Sequence, residues 1–168
     1  MMKIDISQVK QEVGDRRSFR FVTSAPELGL AEGEFGWDGG DIIVEGEVAN
    51  NGQFLEVTGS IKAKVRCECN RCLKSFTMAM EIPFTERYFT PGFLPDEDAA
   101  SYEGNEIDVT GLLRENLLLA EPLKPLCSES CRGLCPVCGT DLNETECFCE
   151  KGSVDPRLAV LQQLLKKE

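Results

Sequence analysis

The sequence predicts an α+β fold: an antiparallel, β-rich core, either barrel-like or a meander, with a few helices and a C-terminal cysteine-rich metal-binding segment. Three observations support this. Apolar and polar residues alternate in several runs of the N-terminal half, as in strands with one buried face. A leucine-rich amphipathic segment follows. Most of the nine cysteines then lie in tight clusters.

The alternating runs predict antiparallel strands, which we expect over residues 17–23, 41–49, 54–69 and 76–84. Asn51-Gly52 lies between the second and third runs, and this dipeptide favours a two-residue hairpin loop. Such a loop would pair Val48 with Leu55 and keep both apolar faces on one side of the sheet.

The second half of the chain predicts loops and helices. Residues 91–106 are rich in proline, glycine and acidic side chains, which indicates an acidic loop. Asp108 is a candidate cap for a helix that runs to about Ala120. Asp155-Pro156 predicts the start of a C-terminal helix. We therefore expect a single domain over residues 1–168, made of a β-rich part (1–90), the acidic loop (91–106) and a part with a helix, the cysteine-rich segment and the C-terminal helix (107–168).

Composition narrows the function classes. The formal net charge is −11, so the long-range field repels nucleic acid and any RNA contact needs a local basic patch. The chain has no histidine, which excludes His-based acid–base chemistry and catalytic triads that contain histidine. No apolar run is long enough to span a membrane, and the N-terminus lacks an apolar signal core. We expect a cytoplasmic protein with reduced thiols, which disfavours disulfides.

The strongest chemical signal is a Cys-Pro-x-Cys-Gly turn followed by Cys-x-Cys. Two thiolates separated by two residues can bind one ion from a tight turn, and the following glycine lets backbone N–H groups approach the sulfurs. We predict that this segment forms one metal site, whose ligands are Cys135, Cys138, Cys147 and Cys149.

The remaining cysteines predict a second, less specific site. Its ligands would be Cys69, Cys72, Cys127 and Cys131, the last two being spaced to lie on one face of a helical turn. Free buried cysteines are the alternative, and Cys67 is expected to be a small buried side chain. Zinc is the expected ion, with one or two Zn²⁺ per chain, because redox-inert structural sites commonly use this ligand set.

Several segments together carry a family resemblance. They are CNRCL at residues 69–73, LLRENLLLAEPLKPLC at 112–127, CRGLCPVCGTDLNETECFC at 131–149 and DPRLAVLQQL at 155–164. On these residues the chain resembles the YceD-like family of large ribosomal RNA subunit accumulation proteins, in its cysteine-rich Gram-positive-like branch. The resemblance implies a role in 23S rRNA accumulation or maturation and implies no catalytic activity, so we expect no enzyme. Cys67 is not part of this pattern.

A basic stripe is the candidate RNA contact. It consists of Lys62, Lys64, Arg66, Arg71 and Lys74, and the strand pattern places the first three on an exposed face. The alternative is a solvated face whose charges pair with acids on the neighbouring strand. The expected partners are 23S rRNA or a pre-50S assembly intermediate, or else a basic protein. In the alternative function the chain is a zinc-stabilised protein-interaction module without an RNA role. We expect neither a membrane nor a small-molecule substrate.

Overall fold

The computed structural model describes residues 1–30, 40–90, 92–93, 95 and 99–150. Within these ranges it contains six strands and one α-helix, namely β1 (Lys3–Asp5), β2 (Arg16–Thr23), β3 (Ile42–Asn50), β4 (Leu55–Glu68), β5 (Ser75–Tyr88), β6 (Glu106–Asp108) and α1 (Thr110–Leu119). Short 3₁₀ helices lie at Val9–Gln11 and Pro26–Leu28. The predicted α+β class is confirmed. The helix predicted from Asp155 and the acidic residues 96–98 lie outside the described residues.

The main sheet is a meander. Its four strands follow one another in the order β2-β3-β4-β5, and the β2–β3 and β3–β4 pairs are antiparallel. β1 pairs antiparallel with β6 in a separate two-stranded sheet, which ties the N-terminus to the segment before α1. Apolar and polar residues alternate along the strands, as the sequence predicts. One face of the main sheet therefore packs on an apolar core.

The β3–β4 hairpin differs from the predicted one. Val48 lies opposite Val57, not Leu55, and the last pair is Asn50 with Leu55, so the loop has four residues. Asn50 explains the difference. Its side-chain N–H donates to the Val9 carbonyl oxygen (2.9 Å), and its Oδ1 accepts from the Gly52 N–H (2.8 Å). The shift of two positions keeps every side chain on its predicted face.

Two glycines lie opposite each other on the two central strands of the sheet. Gly46 of β3 lies opposite Gly59 of β4. A Cβ atom on Gly46 would lie 2.4 Å from the Thr58 carbonyl oxygen and 2.6 Å from the Phe19 ring, and one on Gly59 would lie 2.8 Å from the Phe84 ring. Aromatic rings of the outer strands therefore occupy the space that side chains at these two positions would fill.

Helix α1 begins one residue later than predicted. Val109 occupies the cap position, while the Asp108 carboxylate accepts hydrogen bonds from both the backbone N–H (2.9 Å) and the hydroxyl (2.6 Å) of Thr110. Leu113 and Leu117 are fully buried. No helix in the described part of the chain has the length and apolar character that a membrane span requires.

The chain divides into two compact units. The first unit comprises Met1–Cys67 and Ser75–Leu123, and the second comprises Glu68–Lys74 and the chain from Lys124 onward. The aliphatic and aromatic core belongs to the first unit. Its fully buried side chains include Ile6, Leu28, Ile42, Val44, Val48, Val57, Ile61, Ile107, Leu113 and Leu117. That the whole chain acts as a single domain stays a prediction.

The second unit has a different interior. Among its described residues, the buried hydrophobic side chains are all cysteines, namely Cys69, Cys72, Cys131 and Cys135. Four thiols bury too little apolar area to stabilise the described residues of this unit, Glu68–Lys74 and 124–150. These residues therefore need another source of stability.

Candidate metal centres

The turn between β4 and β5 presents two cysteines of the second unit. After β4 ends at Glu68, the Cys69 N–H donates to the Lys74 carbonyl oxygen (2.9 Å). The Leu73 N–H donates to the Cys69 carbonyl oxygen (2.8 Å), and Leu73 adopts a left-handed φ of 59°. This tight reversal brings the side chains of Cys69 and Cys72 to one place.

These two cysteines meet two from the C-terminal segment in a cluster that we call site A. Its sulfurs all lie within 4.8 Å of one another and belong to Cys69, Cys72, Cys127 and Cys131. The Cys69–Cys131 sulfurs are 3.8 Å apart and the Cys72–Cys127 sulfurs 3.7 Å. Four metal–sulfur bonds of ~2.3 Å in a tetrahedron place sulfurs about 3.8 Å apart. Site A fits this geometry, and its sulfurs are too far apart for disulfides of ~2.05 Å.

The segment from Cys127 to Cys131 is a turn, so the prediction that it is helical is wrong. The Cys131 N–H donates to the Ser128 carbonyl oxygen (3.0 Å), and the Ser128 hydroxyl accepts from the Ser130 N–H (3.3 Å). Serine hydroxyls that bond to nearby backbone groups compete with helix formation. The turn still brings both sulfurs to the same side.

Hydrogen bonds distribute charge unequally within site A. The backbone N–H of Cys127, followed by those of Cys72 and Arg71, lowers the pKa of the Cys69 thiol to about 6. The neighbouring Cys131 sulfur raises the pKa of Cys127 to about 12. One thiolate is thus stabilised by amides, while Cys127 resists ionisation beside it. A bound cation would remove this conflict, because it deprotonates coordinating thiols.

The second cluster, which we call site B, is built on the Cys-Pro-x-Cys-Gly turn. The Gly139 N–H donates to the Cys135 carbonyl oxygen (2.9 Å), and the Cys135 N–H donates to the Thr140 carbonyl oxygen (2.8 Å). Gly139 has a φ of 74°, a conformation that favours glycine. The Val137 N–H donates to the Cys135 sulfur (3.4 Å), as expected of a metal knuckle.

Site B also brings four sulfurs within 4.8 Å of one another, those of Cys135, Cys138, Cys147 and Cys149. The Cys147 sulfur lies 3.4 Å from those of both Cys135 and Cys138. The Thr140 hydroxyl, 3.1 Å from the Cys138 sulfur, is the main cause that lowers the pKa of Cys138 to about 6. The Cys147 sulfur raises the pKa of Cys149 to about 12. Each cluster can therefore hold one metal ion.

Cys67 belongs to neither cluster. It lies half-buried on β4, in the first unit, and burial raises the pKa of its thiol, with a smaller contribution from Glu121. Its sulfur is in neither of the two groups of four sulfurs that lie within 4.8 Å of one another, so its position sets it apart from the candidate ligands. The two clusters thus use eight of the nine cysteines.

The basic stripe is divided between the two units. Lys62, Lys64 and Arg66 are exposed on β4 in the first unit. The Lys62 amine pairs with Glu45 (3.3 Å) and lies 3.9 Å from a Glu81 oxygen. Exposed pairs of this kind contribute little to stability and exchange readily with solvent or ligands.

Arg71 and Lys74 make contacts inside the second unit. The Arg71 guanidinium donates to the Cys131 carbonyl oxygen (2.9 Å). The Lys74 amine lies 2.7 Å from the Asp141 carboxylate and also pairs with Glu144. Arg71 and Lys74 therefore help to hold together the segments that carry the cysteine clusters. That the five residues of the stripe contact RNA stays a prediction.

Sequence reasoning missed three polar residues between the ligands of site B. Thr140 contacts Cys138 as described above, and the Asn143 side-chain N–H donates to the Cys131 sulfur of site A (3.4 Å). Asp141 accepts from Asn143 through both its backbone N–H (2.8 Å) and its side chain (2.7 Å). The sequence contains a signal for them, since short polar residues between ligands favour turns whose side chains form hydrogen bonds with nearby groups.

The arrangement supports structure more readily than catalysis. Four protein sulfurs complete the tetrahedral coordination of one ion, whereas a catalytic zinc keeps a position open for water or substrate. A β-rich unit and a cysteine-rich unit with two such clusters define a class of small protein that metal ions can stabilise.

The family model described as large ribosomal RNA subunit accumulation protein YceD matches residues 57–165. The chain belongs to this family, as its sequence predicts.

The chain is similar to proteins from distant organisms. The chain is 31% identical to the YlbN protein of Bacillus subtilis over 130 residues, which is 76% of each chain. It is 33% identical to an uncharacterized protein of Mycobacterium bovis over 117 residues, 67% of this chain but only 56% of that relative. A chloroplastic Arabidopsis thaliana protein, described as large ribosomal RNA subunit accumulation protein YCED homolog 1, is 25% identical over 166 residues, covering 78% of this chain and 52% of its own. No solved structure matches the chain.

Proposed function

We propose that this chain is a non-enzymatic, zinc-stabilised ribosome-biogenesis factor that supports 23S rRNA accumulation or processing in the cytoplasm. The family match over residues 57–165, which contain both clusters, carries the proposal. The Arabidopsis relative has the same description. The chain spans about half the length of the mycobacterial relatives, so its activity and partners are proposals drawn from its own residues.

Zinc is the ion that best suits both clusters. Four thiolates in a tetrahedron favour Zn²⁺ or iron, and zinc is the usual choice where the ion has a structural role. The described residues of the second unit have no aliphatic core, and metal binding can supply the free energy of folding in its place. We propose one Zn²⁺ in site A and one in site B.

A role without catalysis follows from the same chemistry. Eight cysteines saturate two tetrahedral ions, which leaves no ligand position for a substrate. The sequence offers no histidine as a general base. We therefore propose that the protein acts by binding.

We place the RNA contact on the exposed face of β4, at Lys62, Lys64 and Arg66. Side chains at alternate positions of a strand lie about 7 Å apart, close to the phosphate spacing of a nucleic acid backbone. Arg71 and Lys74 are left out of the contact that we test. Their charges already engage carbonyl and carboxylate groups of the second unit, so their substitution would disturb the clusters.

A basic protein is the alternative partner. The net charge of −11 repels RNA at long range and attracts basic surfaces, and Lys62 is already paired with Glu45. On this reading the chain is a zinc-stabilised protein-interaction module, and its effect on rRNA would be indirect. RNA is favoured because the family description names ribosomal RNA.

The test is a charge reversal on β4. In cells that depend on this chain, Lys64→Glu with Arg66→Glu should reduce RNA recovered by crosslinking about tenfold and lower the 23S rRNA level, because phosphate contacts dominate affinity. Each lost contact should also reduce the slope of log affinity against log salt by about one. Lys62 stays unchanged, which keeps its ion pair with Glu45.

Lys10→Glu with Lys124→Glu is the matched control, since it makes the same change in net charge at two exposed lysines outside β4. Thermal unfolding must show that both variants fold. If the β4 variant and the control retain equal RNA and equal 23S rRNA levels, β4 is only a solvated face. Crosslinking that recovers a basic protein and no RNA would establish the alternative.

A further inference from the structure

A backbone hydrogen bond joins the turn of site A to site B. Arg71 lies in the turn of site A, and its carbonyl oxygen accepts from the N–H of Leu134, the residue before the site B ligand Cys135. The N–O distance is 3.0 Å. Gly133 makes this approach possible, because a Cβ atom there would lie 2.8 Å from the Arg71 oxygen and its φ is 75°. The two knuckles are therefore in direct contact within the second unit.

Asn143 makes the most informative link. It lies in the site B loop between Cys138 and Cys147, yet its side-chain N–H donates to the sulfur of Cys131, a ligand of site A (3.4 Å). Its Oδ1 accepts from the Arg132 N–H (2.7 Å), which fixes the orientation of the amide. An N–H···S bond stabilises a thiolate more than a thiol, and hence favours the metal-bound form of the ligand.

Asp141 and Lys74 brace this link. Asp141 accepts from the Asn143 backbone and side chain, at 2.8 Å and 2.7 Å. Its other oxygen lies 2.7 Å from the Lys74 amine, two residues after the site A ligand Cys72. The loop that closes site B is thus held against the turn that forms site A by charged and polar groups from both.

We propose that the two sites bind zinc with positive cooperativity, and that Asn143 is the residue that couples them. Metal in site B orders the loop from Cys138 to Cys147, which holds the Asn143 amide against Cys131. Site A then binds its ion with one ligand already stabilised by a hydrogen bond. By linkage, an ion in site A must strengthen site B by the same factor.

The proposal rests on the zinc binding of the proposed function and adds the coupling. Hydrogen-bond partners of metal ligands typically contribute 10–100-fold to affinity. Asn143 is exposed, so we expect the lower end of this range, a coupling factor of about tenfold.

The test uses the full-length chain, reduced and freed of metal, with zinc affinities measured by competition against a chelator. Cys147→Ser with Cys149→Ser leaves site A alone, and Cys72→Ser with Cys127→Ser leaves site B alone. The coupling factor is the two-ion association constant of the unaltered chain divided by the product of the two single-site constants. We expect a factor of about ten or more. A factor of one overturns the proposal.

Asn143→Ala identifies the coupling residue and retains all eight ligands. It should still bind two ions, and its coupling factor, measured with the same two serine pairs, should fall to about one. Thr145→Ala, a neutral and exposed change in the same loop, is the control and should leave the coupling factor unchanged. If Asn143→Ala and Thr145→Ala give the same coupling factor, Asn143 does not couple the sites. Where a serine variant binds no zinc at all, the Hill coefficients of zinc binding decide: a lower value for Asn143→Ala than for Thr145→Ala supports the coupling, and equal values overturn it.

The outcomes separate this proposal from the one on which it rests. A chain that binds no zinc contradicts the metal part of the proposed function. A chain that binds two ions with a coupling factor of one keeps that function and loses only the coupling.

Discussion

Cys67 and Cys69 are two residues apart in sequence, but their surroundings differ. Three backbone N–H groups lower the pKa of Cys69, whereas burial raises that of Cys67. A site that binds metal must stabilise thiolate, and hydrogen bonds from amides do this while apolar surroundings do the reverse. The difference in pKa accompanies a difference in place, since Cys69 belongs to site A and Cys67 to neither cluster.

This contrast gives a prediction at the scale of single residues. Cys67→Ala should leave the zinc content unchanged and cost about 1 kcal/mol or less, because it removes one half-buried atom. Cys138→Ser should release the ion of site B, since serine is not a zinc thiolate ligand. Metal analysis and thermal unfolding of both variants check the prediction. Loss of an ion from Cys67→Ala would mean that the ligand sets are wrong.

The glycine pair of β3 and β4 matters at the scale of the sheet. Gly46 and Gly59 leave room for the Phe19 and Phe84 rings, so that aromatic side chains of the two edge strands cover the strands between them. A glycine within a strand usually weakens the strand, but here the close approach of the aromatic rings accounts for both glycines.

Gly46→Ala should therefore destabilise the chain by about 2 kcal/mol, since its Cβ would meet the Thr58 carbonyl oxygen at 2.4 Å and backbone cannot move aside easily. Gly111→Ala is the control. Gly111 lies in α1 with no atom within 4 Å of an added Cβ, so alanine should stabilise the helix by up to ~1 kcal/mol. Chemical denaturation measures both changes. Equal stability of the two variants would show that the pair is not closely packed.

The sequence revealed the faces of the strands better than their pairing. Alternation depends on neighbouring residues, so the apolar side of β4 was predictable. The β3–β4 register depends on the bond from Asn50 to the Val9 carbonyl, a contact across forty-one positions that no local pattern contains. The same holds for the clusters. Spacing alone grouped the cysteines into two quartets, whereas the bond from Asn143 to Cys131 depends on how the loop folds back.

At the scale of the whole molecule, charge and metal act together. The chain carries −11, and each site of four thiolates around one divalent ion adds a local charge of about −2. Such a molecule does not bind RNA through its overall field, so any contact with RNA has to be local and sensitive to salt. The basic residues of β4 offer a local contact of this kind.

Metal ions are the central element of this account, because the buried hydrophobic side chains of the second unit are cysteines throughout its described residues. The most direct test is the zinc content of the full chain, purified without chelator under reducing conditions and confirmed to be folded. We predict two Zn²⁺ per chain, one for each cluster of four sulfurs. One ion would contradict one of the two sites, and a folded, stable chain without metal would contradict both.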